Sequence, residues 1–182
     1  MGSVQEQSKR MVQHKMKILG INCMNHDASM TVVDGREIVW AAHSERYSKV
    51  KNDHFLNWKI VNEAMTHGPF DKVVYYERPW LKKTRQLYAG QWGDALSYTE
   101  LPSWHLDHFN IKIDEYVKHH DSHAAAGYFT SPFREATILT VDAIGEWETV
   151  SISTADKVWI DRKETIKYPH SIGILYSAFT HR

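Results

Sequence analysis

Cysteine is almost absent from this sequence of 182 residues, in which Cys23 stands alone. A single cysteine excludes an internal disulfide framework and is typical of a reducing compartment. An excess of either charge is also lacking, since Lys plus Arg and Asp plus Glu both number 22. No global field therefore draws the chain toward nucleic acid or an anionic membrane surface. We expect neither kind of partner.

Long apolar runs are missing as well. No segment reaches the roughly 18 consecutive apolar residues of a membrane span, and the N-terminus has no signal-peptide core. These absences predict a cytoplasmic protein. Residues 1–15 are polar and without periodicity, which predicts a disordered tail or a start-site extension, with folded sequence beginning near Met16.

The hydrophobic pattern predicts an α/β chain that opens with three strands, a helix and a further strand. The predicted strands cover residues 17–23, 29–33, 37–42 and 72–76, and the predicted helix covers residues 57–67. Asp34-Gly35 is a strong hairpin signal between the second and third strands. Residues 80–115 show no clean period, so we expect short helices and a long loop there, with the aromatic residues in the core or in packing contacts rather than in a ligand site.

A second meander follows, with predicted strands over residues 137–142, 148–153 and 158–166. A turn is expected at Ala143-Ile144-Gly145, and a helix-like apolar run covers Ile174 to Phe179. The two parts share an architecture rather than a residue-for-residue repeat. The pattern therefore indicates a first half that is complete and a second half that stops in its first helix.

The segment from His119 to Ala126 carries the strongest chemical signal. His119 and His123 are four residues apart at the start of an alanine-rich helix. On a helix this spacing puts both rings on one face, about 6 Å apart along the axis. Asp142 ends a predicted strand and supplies a third candidate ligand. Two histidines and one carboxylate with open positions suit a catalytic iron, manganese or zinc ion better than a closed structural zinc site.

An alternative interpretation of the histidine pair needs no metal. The sequence contains 12 histidines, so a pair at this spacing also arises by chance, and helix starts favour polar residues. His120 faces another way on the helix. We interpret it as a structural residue or as one that supports a ligand from outside the coordination sphere.

The ordered motifs of the chain resemble the N-terminal part of the NodU/CmcH carbamoyltransferase family. In chain order the landmarks are Gly20-Ile21, His26-Asp27-Ala28-Ser29, Asp34-Gly35, Ser44-Glu45-Arg46-Tyr47-Ser48, Lys51, Asp53, His119-His120-Asp121-Ser122-His123, Ser131-Pro132-Phe133, Thr140-Val141-Asp142, Gly145-Glu146 and Pro169-His170-Ser171-Ile172-Gly173. The resemblance implies a ribonuclease-H-like fold of the sugar-kinase, heat-shock ATPase and actin superfamily. Residues 16–133 would form the first half and residues 134–182 the start of the second.

The resemblance also implies a reaction. In this family carbamoyl phosphate and ATP give carbamoyl adenylate, and the carbamoyl group then passes to a substrate hydroxyl. A divalent metal, with iron(II) favoured over zinc or manganese, would be held by His119, His123 and Asp142, with a further aspartate ligand beyond this sequence. His26 would act as general base for the hydroxyl.

Four further residues are implied to contact the phosphate or adenylate. Lys51 would act in catalysis by neutralising phosphate oxygens, and Arg46 would bind the adenylate. Gly145 and Glu146 would belong to a turn, starting at Asp142, that presents backbone amides to phosphate. The family usually has glycine at the position of Ala143, which restricts the backbone of this turn.

Two other functions stay open from the sequence. One is a non-catalytic module that binds metal or a partner, and that forms a homo-oligomer through an exposed sheet edge or pairs with a missing C-terminal part. The other is a metallohydrolase that uses the same three ligands and a bound water.

Overall fold

The computed structural model of the protein describes residues 15–180. Its first elements are β1 (Lys17–Asn22), β2 (Ser29–Asp34), β3 (Glu37–His43), α1 (Glu45–Ser48), α2 (Trp58–Met65), β4 (Lys72–Tyr75), α3 (Pro79–Tyr88), α4 (Trp92–Leu96), a 3-10 turn (Tyr98–Glu100), α5 (Pro102–Asp107) and β5 (Glu115–Tyr116). The remaining elements are α6 (His119–Phe129), β6 (Glu135–Gly145), β7 (Glu148–Asp156), β8 (Trp159–Lys167) and α7 (Ile172–Thr180). Apart from residue 15, the tail predicted over residues 1–15 lies outside the described residues.

The first sheet is mixed, with five strands in the order β3-β2-β1-β4-β5. Strands β1, β2 and β3 form the predicted antiparallel meander, whereas β4 and β5 run parallel to β1. Gly35 has a φ of +64°, which allows the tight hairpin between β2 and β3. The meander, the following helix and the fourth strand are confirmed as an α/β arrangement.

The core lies between one face of this sheet and helix α2. Alternate strand residues point to the same face, so Leu19 and Ile21 of β1 meet Met30 and Val32 of β2 in the buried core. Buried Ile60, Val61 and Ala64 of α2 cover them. Asn57 starts this helix, because its side chain accepts hydrogen bonds from the amides of Lys59 and Ile60. The opposite face of the sheet is turned toward α6.

His105 of α5 is hydrogen-bonded to the loop that precedes α2. Its Nε2 accepts a hydrogen bond from the Leu56 amide at 3.0 Å, so the neutral ring is required. Burial, followed by the neighbouring His108, lowers the pKa of His105 below its ordinary value of 6.5. As the pH falls, His105 therefore becomes protonated at a higher pH in the unfolded chain than in the folded chain.

We expect His105 to make the folded chain less stable below about pH 6.5, with a slope of at most about 1.4 kcal/mol per pH unit for one proton. Urea unfolding at stepped pH values between 7.5 and 5 measures this slope. In His105→Gln, an amide oxygen can accept the same hydrogen bond without titrating, so the slope should become shallower. Identical slopes for the two proteins would contradict the assignment.

The second sheet contains the antiparallel strands β6, β7 and β8 in that order. This arrangement is the second meander that the sequence predicted. The turn predicted at Ala143-Ile144-Gly145 is wrong. Strand β6 continues through Gly145, and the turn falls at Glu146 and Trp147, where Glu146 has a φ of +58°. The pairing shifts register between Val141 and Gly145, because β6 has a bulge there. A bulge changes the direction of the side chains and lets the strand continue beyond the end that the sequence pattern indicated.

Two features of the first part differ from the sequence prediction. Helix α1 and strand β5 were not predicted, because four and two residues are too few to show a period. The short helices expected between residues 80 and 115 are confirmed, and four of their aromatic residues lie at the surface rather than in the core. Trp80, Tyr88, Trp92 and Tyr98 are all more than half exposed. Trp80 contacts Tyr116 and Tyr88 contacts Trp147 as surface ring pairs.

No helix within residues 15–180 has both the length and the apolar character that crossing a membrane requires.

Candidate metal centre

Helix α6 begins at His119 and is held there by a side chain from the second sheet. The helix has no capping side chain of its own at Lys118. Instead, Oε1 of the buried Glu146 accepts hydrogen bonds from the amides of His119 at 3.4 Å and Arg78 at 2.6 Å. A carboxylate near a helix N-terminus is favourable because it faces free amides and the positive end of the helix dipole. The β6–β7 turn thus fixes where the histidine helix starts.

His119, His123 and Asp142 bring their donor atoms together. Nε2 of His119 lies 3.0 Å from Nε2 of His123 and 2.9 Å from Oδ2 of Asp142. One donor atom from each residue falls within 4.8 Å of the others. The helical spacing brings the two rings together, and the bulged part of β6 brings in the carboxylate.

These distances fit a shared divalent cation. Ligands about 2.1 Å from an ion and at right angles to one another lie about 3 Å apart. Two imidazole nitrogens at 3.0 Å also need something positive between them, either a proton or a cation, since two lone pairs repel. The donor set therefore fits a metal by both distance and chemistry.

The charges around the cluster favour a cation. Hydrogen bonding to His119 lowers the pKa of Asp142 to about 2. Burial by itself would lower the pKa of His119, but Asp142 and Glu77 outweigh burial and raise that pKa to about 9. Burial and then the charge of His119 lower the pKa of His123. Without a metal, the positive charge therefore resides on His119, between two ionised carboxylates.

Glu77 is a member of this site that the sequence analysis missed. It lies two residues after β4 and is only 5% exposed. Its Oε2 is 3.4 Å from Nδ1 of His119, and its Oε1 is 3.3 Å from Nζ of Lys82. Burial would raise the pKa of Glu77, but His119 and Lys82 reverse the effect and lower it. An acidic residue directly after an apolar strand was the available signal.

His120 contributes no donor atom to the cluster, although its ring centroid lies 6.1 Å from that of His119. It is 1% exposed, and its Nδ1 is 2.9 Å from Oγ of Ser151 on β7. Next to it, Arg162 of β8 forms ion pairs with Asp121 of α6 and Glu148 of β7. His120 therefore packs α6 on the second sheet, in keeping with its structural interpretation.

His26 lies in the loop after β1 and has an exposed side chain. Its Nδ1 is 2.8 Å from Oδ2 of Asp27. The ring is near enough to His123 to contribute to the lowered pKa of that residue. Within the part of the chain that the structure describes, no hydrogen bond or ion pair joins His26 to the donor cluster, so its role as general base stays a prediction.

Lys51 and Arg46 lie farther along the first part of the chain. Arg46 belongs to α1, is exposed and lies 3.9 Å from Glu45, while Lys51 is exposed in the turn that follows. Within the described residues, no ion pair or hydrogen bond joins either of them to the donor cluster. Their phosphate-binding roles stay predictions.

Gly145 and Glu146 support the histidine helix from β6 and the turn that follows. A Cβ atom on Gly145 would lie 2.3 Å from Cδ2 of His119, so only glycine leaves room for that ring. The carboxylate of Glu146 is turned inward onto backbone amides. The Ala143 amide donates to Oδ1 of Asp142 at 2.6 Å and is thus already engaged. The predicted contact of Gly145 and Glu146 with phosphate stays a prediction.

A cavity of about 910 Å³ borders the donor cluster on the side of His123. Strands β1, β2 and β4 line one side of it, and α6 and β8 line the other. The polar residues Asn22, Tyr76 and His123 share its wall with apolar Ile18, Val33 and Phe129. A volume of this size accommodates a small organic molecule beside His123.

Comparison with known proteins bears on this site. A family profile described as carbamoyltransferase N-terminus matches residues 88–182, a range that contains all three donor residues. The chain is 30% identical to the uncharacterized protein sll1178 of Synechocystis sp., over 90% of this chain and 31% of that protein. It is 37% identical to the uncharacterized protein MJ1058 of Methanocaldococcus jannaschii, over 35% and 13% of the two chains.

The chain is also similar to the nodulation protein NolNO of Sinorhizobium fredii. The identity is 22%, over 85% of this chain and 25% of that protein. The chain thus spans less than a third of the length of each of these curated relatives.

Proposed function

Because this chain belongs to the carbamoyltransferase N-terminus family, whose profile matches residues 88–182, we propose that it carries the metal-dependent centre that transfers a carbamoyl group to a substrate hydroxyl. The observation that carries the proposal is the convergence of His119, His123 and Asp142 on one point. Carbamoyl phosphate, ATP and an alcohol acceptor are the proposed substrates. Carbamoyl adenylate is the proposed donor at this centre.

The proposal includes a ribonuclease-H-like fold for the first half, residues 16–133. The sheet order β3-β2-β1-β4-β5, with an antiparallel meander followed by parallel strands, supports it. The second meander, β6 to β8, and helix α7 support residues 134–182 as the start of a second, similar half. The metal residues come from α6, at the end of the first half, and from β6 of the second.

Two histidine nitrogens and one carboxylate oxygen would hold the metal and leave positions open for substrate. This donor set suits iron(II) best, with zinc and manganese as alternatives. When bound, a divalent ion supplies a Lewis acid that stabilises charge on the carbamoyl oxygen or favours ionisation of the acceptor hydroxyl.

His26 is the proposed general base. Its Nδ1 faces the Asp27 carboxylate at 2.8 Å, which favours the tautomer with a proton on Nδ1 and a lone pair on Nε2. Nε2 can then accept the proton of the acceptor hydroxyl as the hydroxyl oxygen bonds to the carbamoyl carbon. The bond from that carbon to the adenylate oxygen breaks, and AMP leaves. The cavity beside His123 offers room for the acceptor.

Metal binding and carbamoyl transfer together test the proposal. The purified chain is titrated with iron(II), manganese and zinc under anaerobic conditions and then incubated with labelled carbamoyl phosphate, ATP and a panel of sugar and aliphatic alcohols. Metal-dependent transfer of label to an alcohol supports the proposal. Ammonia release from carbamoyl phosphate without an acceptor would indicate a metallohydrolase instead. A folded chain that binds no divalent ion would overturn the metal-assisted mechanism.

We expect His26→Ala to reduce label transfer by about 100-fold to 10,000-fold, the usual contribution of a general base. Metal affinity should stay unchanged, because His26 is outside the donor set. His54→Ala, another exposed histidine in a loop of the same half, is the matched control and should transfer label like the unchanged chain. Equal loss of transfer in both variants would contradict the assignment.

A further inference from the structure

We propose that Glu77 is the positioning residue of the metal centre: its carboxylate holds the His119 ring so that Nε2 faces Asp142 and His123. The inference rests on the proposed metal site and adds a residue from outside the donor set. Glu77 itself would not touch the ion or the substrate.

The two ring nitrogens of His119 face different groups. Nε2 points toward Asp142 and His123, at 2.9 and 3.0 Å. Nδ1 is buried and makes no hydrogen bond of normal geometry with the described residues. The Glu77 carboxylate at 3.4 Å is its ion-pair partner. A small rotation of the ring or the carboxylate brings this contact into the usual hydrogen-bond range of about 2.9 Å.

The carboxylate of Glu77 lies in a protein interior where an unpaired charge is very unfavourable. Lys82 of α3 approaches Oε1 at 3.3 Å, which leaves Oε2 for His119. The Tyr76 ring packs edge-on against His119, with centroids 5.4 Å apart, and limits the tilt of the ring. The second buried carboxylate nearby, Glu146, is engaged by the amides of Arg78 and His119. Glu77 is therefore the carboxylate available to Nδ1.

A carboxylate behind a ligand histidine has two known effects. It fixes the tautomer that leaves the other nitrogen free for the metal, and it makes that nitrogen a stronger ligand. Loss of such a partner commonly weakens metal affinity by about 10-fold to 100-fold. Glu77 is well placed for both effects, because Lys82 of α3 holds its Oε1 and leaves Oε2 toward Nδ1 of His119.

The test compares cobalt(II) binding by the unchanged chain, Glu77→Gln and Glu115→Gln. Glu115 of β5 is exposed, forms an ion pair with Lys72 of β4 and serves as the matched control. We expect about 10-fold to 100-fold weaker cobalt affinity and an altered visible absorption spectrum in Glu77→Gln alone. A folded Glu77→Gln chain with unchanged affinity and spectrum would overturn the proposal. Glu77→Asp keeps the charge but withdraws the carboxylate by one carbon, so it should show an intermediate loss if Glu77→Gln does not fold.

A second measurement separates this proposal from the proposed function. Nitrogen-15 NMR of the metal-free chain reports the protonation and hydrogen bonding of each ring nitrogen of His119. We expect the Nδ1 signal of His119 to shift in Glu77→Gln and not in Glu115→Gln. A chain that binds no cobalt but shows this shift would contradict the metal-dependent function and leave the orienting contact standing. A His119 signal unaffected by Glu77→Gln would overturn the positioning role.

Discussion

His123→Ala is expected to weaken binding of a divalent ion by more than the roughly 100-fold that follows loss of an outer partner of a ligand. The substitution removes one of three donor atoms that lie within 4.8 Å of one another. Alanine favours the helix more than histidine does, which offsets the loss of the contact between His123 and His119, so the metal-free chain should stay folded. The defect should therefore be one of binding rather than of folding.

Two measurements report the loss of metal affinity: direct titration with manganese, and thermal unfolding with and without manganese. For the unchanged chain, an ion at a hundred times its dissociation constant should stabilise the fold by about 2.7 kcal/mol. His123→Ala should lose that stabilisation. His108→Ala, an exposed histidine at the end of α5, is the control and should keep it. Retained manganese binding in His123→Ala would remove the basis for a metal centre here.

Gly145→Ala is expected to have the second large effect, because it acts on the fold and the metal site together. The added Cβ would lie 2.3 Å from Cδ2 and 2.8 Å from Cγ of His119, and 3.0 Å from Cδ2 of His120. Both rings are buried, so the backbone or His119 has to move. Forced packing of this kind typically destabilises by about 1–3 kcal/mol. Any shift of the His119 ring also removes its Nε2 from the shared point.

Urea unfolding and metal titration of Gly145→Ala measure the two consequences separately. Gly127→Ala, in α6 itself, is the control. A Cβ there meets nothing within 4 Å, so the change should stabilise the helix by up to about 1 kcal/mol. If Gly145→Ala unfolds at the same urea concentration as the unchanged chain and binds metal equally well, the close approach to His119 is not structurally important.

Local pattern was enough for the two meanders and for helices α2 and α6. The strands β1 to β3 are short apolar segments, and Asp34-Gly35 carries the chemistry of a hairpin turn, so neighbouring residues alone specify the meander. The same holds for the pairing of His119 with His123, because helical geometry fixes the distance between positions four apart. The misplaced turn at Ala143 to Gly145 shows the limit, since a bulge depends on the partner strand.

The chain's own pattern determined two α/β parts and a histidine pair on one face of a helix. Tertiary structure decided that β6 carries Asp142 to that pair, that Glu77 stands behind His119 and that Glu146 holds the start of α6. These contacts join residues 23, 42 and 27 positions apart in the sequence. No local period encodes such separations, because they arise only when two sheets and a helix pack at a defined angle. The sequence therefore supplies the ligands, and the packing decides what they face.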